Sequence, residues 1–232
     1  MAGTLPDDAR GLWISGAPAP VGSRGAKHRL AQSVRQLTEA VALLDPETLD
    51  PARLDRLARA AGDLADSIAE LPSLAARGGA ALAGGPDAVL AERSGISGRS
   101  NPLAPPMQAW VDGDLTCGRA IYGPAYEGPP GCVHGGFVAA AFDDLLGCAQ
   151  MASGLAGFTG TLTVRMVRPT PLGVAIDYQA GYDRIEGRKI YCWGTARAGA
   201  TVVAEAQGIF IIPRQGSQVG ANPQSGPAWL GA

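Results

Sequence analysis

Residues 135–153 constrain this chain more than any other stretch. The run has a helical pattern and is almost entirely small or apolar, yet it carries Asp143 and Asp144. A helix that is apolar on every side cannot lie on a surface, so something must wrap it. Four strand-like runs follow it. Leu162, Val164 and Met166 alternate with Thr161, Thr163 and Arg165; then come Ile176 to Tyr182, Ile190 to Ala196, and Val202 to Ile212. Short turns at Glu186-Gly187 and Ala198-Gly199 suit hairpins. Ahead of the helix, Trp110 to Ile121 reads as a strand pair turning at Asp112-Gly113. Strands, one long helix, then a meander of strands predict an α+β fold over residues 107–213: an antiparallel sheet wrapped round one central helix.

The first hundred residues follow other periods. Residues 1–27 are rich in Gly, Pro and Ala and read as irregular. Leu30, Val34, Leu37, Val41 and Leu44 recur at steps of three and four, and Leu54, Leu57, Leu64, Ile68 and Leu71 mark a second stripe after the N-cap pair Asp50-Pro51. Residues 28–72 are therefore expected as a helical hairpin whose apolar stripes pack on the main domain or a partner subunit. Residues 73–106 read as a linker with a short helix near Val89, and residues 214–232 as a disordered tail.

Composition removes several function classes. Hydrophobic residues make up 46% of the chain and the net charge is −2, with no long run of Lys or Arg, so neither nucleic acid nor an anionic membrane is expected as a partner. No stretch of 18 uncharged apolar residues predicts a membrane span. The first residues lack the basic start and apolar core of a signal peptide, and the cytoplasm is the expected address. Cys117, Cys132, Cys148 and Cys192 form no CxxC pair. Pairing would need an oxidising compartment, so they are read as small, reduced core residues. With only His28 and His134 and no clustered ligands, no metal is expected. Neither a dinucleotide-binding glycine motif after a strand nor a GxSxG elbow is present.

The chemistry-bearing residues gather where a Pro/Gly-rich loop meets the helix, at Gly128-Pro-Pro-Gly-Cys-Val-His134-Gly135-Gly136. Unpaired N–H groups at a helix start face outward at the positive end of its dipole. Glycine lets a ligand oxygen approach them closely. Such a place suits a carbonyl that turns into an oxyanion. Asp143 and Asp144 are carboxylates on an apolar helix, and at least one must face an interior surface or an interface. A desolvated carboxylate is a natural general base for water.

These residues resemble the PaaI-like acyl-CoA thioesterases of the hotdog superfamily, whose helix opens with His-Gly-Gly and carries Asp nine positions after the His, as Asp143 stands to His134. The family also places Ser or Thr ten residues before a strand-ending proline, as Thr159 stands to Pro169. The resemblance covers about residues 107–213. It implies a hotdog fold acting as a homodimer, or a dimer of dimers, on an acyl-CoA or acyl-carrier thioester without a cofactor. It further implies that Gly135 N–H polarises the carbonyl, Asp143 activates water, Thr159 helps hold that water, and His134 supports the oxyanion loop. Gly136 belongs to the same binding turn. Some relatives carry Asn six residues before the His, where this chain has Gly128.

Two alternatives stay open: a hotdog dehydratase or hydratase, and a protein that only binds acyl thioesters. Thr159 is equally readable as an ordinary strand residue. Arg165, Arg168, Arg184, Arg188 and Lys189 can meet the phosphates of CoA or line a solvated strand surface, with Arg188 the first choice. Gly135 and Asp143 lie eight residues apart, about 12 Å along a helix at roughly 1.5 Å per residue. One helix cannot bring both to one carbon, so each site is expected to draw on two subunits.

Overall fold

The computed structural model describes residues 21–73, 92–155 and 157–214. The expectations for residues 1–20, the short helix near Val89 and residues 215–232 lie outside that range.

Six antiparallel strands form one sheet: β1 (Met107–Asp112), β2 (Leu115–Ile121), β3 (Phe158–Met166), β4 (Ala175–Glu186), β5 (Lys189–Ala198) and β6 (Thr201–Ile211). Their order is β1-β2-β4-β5-β6-β3. The hairpins β1–β2, β4–β5 and β5–β6 share one turn chemistry. Each two-residue loop opens with a glycine at φ +58°, Gly113, Gly187 or Gly199, and among the described residues no other residue type has positive φ. That is the type II′ pattern, whose twist matches the strands it joins.

The sheet curves round α3 (Gly135–Ala149), which buries Val138, Ala141, Phe142, Leu145, Leu146, Cys148 and Ala149. The strands offer small residues to this face: Ala109, Ala120, Ala180, Ala196 and Ala204 are fully or almost fully buried. Gly194 shows how close the approach is, since a Cβ there would stand 2.9 Å from the Phe142 ring. Phe142 also meets Tyr178 edge-on at 5.4 Å, and the Tyr178 hydroxyl pairs with that of Tyr122 at 2.8 Å. Each large apolar side chain buried here contributes about 1.5–3 kcal/mol. The helix is the core, as its composition requires.

The first helix departs from the expected boundary, and the stripes of both N-terminal helices stay open in the single chain. Helix α1 (Gly22–Ala42) starts six residues before the expected boundary at residue 28, because Gly25, His28 and Ala31 are buried and packing overrides the weak propensity of its glycines. The apolar stripes do not hold these helices to the domain. Leu37 and Val41 stay about half exposed, and α2 (Pro51–Ala69) buries no residue at all. What fastens α1 is polar. The Arg35 guanidinium donates to the carbonyls of Ala104 (2.8 Å), Asn101 (2.9 Å) and Arg99 (3.0 Å). The described part of the expected linker is accordingly packed structure, with Glu92, Ser97 and Ala104 buried. Among the described residues, no helix is long and apolar enough to cross a membrane.

Candidate functional site

The loop before α3 is fixed by its backbone. His134 N–H donates to Tyr126 O (2.9 Å), Val133 N–H to Thr170 O (2.8 Å) and Gly128 N–H to Cys132 O (2.9 Å). Gly128 is there for space: a Cβ would lie 2.8 Å from His134 Cα. The loop therefore closes by backbone contact where some relatives place an Asn.

His134 is the N-cap of α3, with extended backbone (φ −60°, ψ 127°), and its ring Nδ1 accepts the Gly136 N–H at 3.0 Å. The amide of Gly136 is thus spent within the cap. Gly135, the first helical residue, has no acceptor for its N–H among the described residues. Beside it lies Met166 at the far end of β3, whose methyl is 3.3 Å from where a Gly135 Cβ would stand. An open donor at the positive end of a helix, next to an apolar methyl, is what a polarised carbonyl needs.

Two turns along, Asp143 is half-buried and accepts a hydrogen bond from Thr159 Oγ1 at 2.9 Å. A bulge makes that contact possible. Thr159 pairs with Phe210 and Thr161 with Ile209, leaving Gly160 as an extra residue. Strict alternation from Leu162 and Val164 would turn Thr159 away from the helix; the inserted Gly160 turns it back.

The neighbouring carboxylate has the opposite surroundings. Asp144 Oδ2 accepts the hydroxyls of Ser97 (2.6 Å) and Ser94 (2.8 Å), both from the packed segment before β1. Burial raises the Asp144 pKa above its ordinary value, the two serines pull it down in part, and the Asp143 charge adds to the rise. Ser94 and Ser97 escaped the sequence reading because nothing periodic marks them.

The sequence-predicted residues fall into separate places. The structure brings Asp143 and Thr159 together, and His134, Gly135 and Gly136 together at the helix start. Arg188 stands apart on the exposed β4–β5 turn, its Nε donating to Ile212 O at 2.8 Å. Arg165 is taken up by Glu205, and Arg184 by Asp183 and Glu186. Among the described residues, no three His, Cys, Asp or Glu side chains gather as metal ligands would.

Comparisons with known proteins point the same way. No family model matches the chain. It is 34% identical over 91 residues to acyl-coenzyme A thioesterase THEM4 of Xenopus laevis, a match spanning 38% of this chain and 41% of that protein. It is 33% identical over 87 residues to acyl-coenzyme A thioesterase THEM5 of Homo sapiens, spanning 37% and 35%. The chain thus covers about two fifths or less of the length of these curated relatives. A crystallised thioesterase superfamily protein superposes with a TM-score of 0.72 and 27% identity, covering 86% of this chain and all of that one. Coverage that high takes in the helical N-terminal part as well as the sheet.

Proposed function

We propose that this chain is a hotdog-fold thioesterase that hydrolyses the thioester of an acyl-CoA or acyl-carrier substrate, with Asp143 as the general base. The observation that carries this reading is the Thr159–Asp143 hydrogen bond of 2.9 Å. It fixes a partly exposed carboxylate on a helix that is small or apolar apart from Asp143 and Asp144, while leaving its second oxygen for water.

The same geometry supports a homodimer. β3 ends the sheet and pairs only with β6, so its outer edge offers nine residues of unpaired backbone, with Phe158 and Met166 about half exposed. A long bare edge invites a second strand. Two copies of β3 joined antiparallel about a two-fold axis near its middle bring residue 159 of one chain opposite residue 166 of the other. Thr159 marks Asp143 and Met166 marks Gly135, so the pairing sets one copy's base against the other copy's open amide. This overcomes the roughly 12 Å that separates the two along one helix.

In such a site Asp143 takes a proton from water as the oxygen bonds to the carbonyl carbon. The other copy's Gly135 N–H donates a hydrogen bond to the carbonyl oxygen as negative charge grows there. When the C–S bond breaks, the proton held by Asp143 goes to the departing thiolate, leaving a carboxylic acid and a thiol. His134 holds the turn that aims the amide and touches no reacting atom.

The test is thiol release from a panel of short, long and aromatic acyl-CoAs, with wild type and Asp143→Asn side by side. The expected result is turnover on at least one member, lowered about a hundredfold or more in the variant. Binding without thiol release, or hydration of an enoyl-CoA in its place, would overturn the hydrolase reading.

A further inference from the structure

A second candidate site lies by β1, at the opposite edge of the sheet from the β3 strand that carries Thr159. Between α1, the segment before β1 and the adjoining ends of β1 and β2 is a cavity of about 420 Å³. Its size is within the roughly 300–1,000 Å³ of small-molecule sites. Arg29, Arg35, Arg99 and Arg119 line it, and among the described residues no Asp or Glu does. In a chain of net charge −2, four guanidiniums round one hollow are a marked local excess.

Three of these charges are open to an anion. Arg29 has no hydrogen bond or ion pair among the described residues. Arg35 binds only backbone carbonyls, so its charge meets no carboxylate. Arg119 gives its Nε to Asp177 at 2.5 Å in an exposed pair, which leaves its terminal nitrogens available. Burial pushes both the Arg35 and the Arg99 guanidinium below their ordinary pKa, a cost that a bound anion would offset.

His28 supplies an independent sign. It lines the same cavity, is 7% exposed, and its Nε2 faces the Glu92 carboxylate at 2.9 and 3.0 Å. Its Nδ1 is buried with no hydrogen-bond partner. Buried polar atoms of this kind are seldom left unpaired.

We propose that this cavity binds a phosphate-bearing ligand, at a site separate from Asp143. Guanidinium forks match phosphate oxygens in pairs, and a pyrophosphate carries enough charge to answer several of them, as a lone carboxylate does not. Met107 and Ile121 supply an apolar wall for the body of the ligand. Two sources share this chemistry: the nucleotide end of an acyl-CoA, or a free nucleotide acting from outside the reaction.

The test is calorimetric titration of the full chain with inorganic pyrophosphate, ADP and CoA. Pyrophosphate is expected to bind once per chain, at least tenfold more weakly to Arg29→Gln/Arg119→Gln, and unchanged to Arg53→Gln on α2. Exposed pairs such as Arg119–Asp177 contribute little to stability, so the double variant folds; Arg29→Gln alone, which breaks no contact, must show part of the loss. CoA competing with pyrophosphate at the mutated site assigns the pocket to the substrate's own nucleotide. ADP binding there without competition from CoA assigns it to a separate ligand. No pyrophosphate binding at millimolar concentration overturns the proposal, as does equal affinity in the double variant or an equal loss in Arg53→Gln. Pyrophosphate binding is read without turnover, so its outcome is distinct from that of the hydrolase reading.

Discussion

Helix α3 presents two walls to the rest of the chain, and adjacent carboxylates meet opposite fates on them. Asp143 faces β3, where one threonine holds it and the bare sheet edge leaves it partly open. Asp144 faces the segment before β1, where two serine hydroxyls close over it and burial raises its pKa. A carboxylate with one fixed oxygen and access to solvent can do chemistry; one that is partly desolvated and accepts two hydroxyls holds a segment in place. The residue type is the same, and the surroundings assign the role.

Replacing each residue in turn separates the two. Asp143→Asn is expected to lower kcat about a hundredfold or more with the melting temperature unchanged. Asp144→Ala is expected to do the reverse. It strands the Ser94 and Ser97 hydroxyls, costs about 2–3 kcal/mol, and lowers the melting temperature by roughly 5–10 °C, while activity per folded molecule persists. If activity collapses in Asp144→Ala at a temperature where the protein stays folded, the roles are exchanged.

Smaller effects sharpen the contrast. Thr159→Val keeps the strand and the volume but frees Asp143, and kcat should fall about tenfold, short of the Asp143 loss. An unchanged kcat would make Thr159 an ordinary strand residue. The smallest expected effect is a pH slope. Asp144 has a folded pKa above its unfolded one, so the folded chain holds more protons between the two values and stability falls as pH rises through that window. Asp144→Asn should flatten this slope, and Asp143→Asn, which removes only the last of the causes of the rise, should lessen it without abolishing it, as denaturant midpoints across that range would show.

Much of this was legible in the sequence, for reasons that can be named. The apolar run after His134 admits only a wrapped helix, and the glycines at the three hairpins pin the meander. The spacings from His134 to Asp143 and from Thr159 to Pro169 mark residues that the fold gathers at α3 and β3. What escaped was non-periodic. Gly160 acts through a bulge that no alternation pattern shows. Ser94, Ser97 and Glu92 make their contacts singly from an Ala/Gly-rich stretch that reads as a linker. The leucine stripes of α1 and α2 have the period of buried faces, and the single chain leaves Leu37, Leu57 and Leu64 about half exposed.

We propose a site made by two copies, with the base from one and the amide from the other. Mixed dimers test it most directly. Gly135→Pro removes the open N–H with little disturbance, because proline suits the first helical position and the preceding His134 already has the extended backbone that proline requires. Each variant alone, Asp143→Asn or Gly135→Pro, should be nearly inactive. Mixed in equal amounts and allowed to exchange, half the dimers are heterodimers, each with one intact site, and activity should return to about a quarter of wild type. Heterodimers seen by mass spectrometry with no activity regained would place base and amide in the same chain and contradict the shared site.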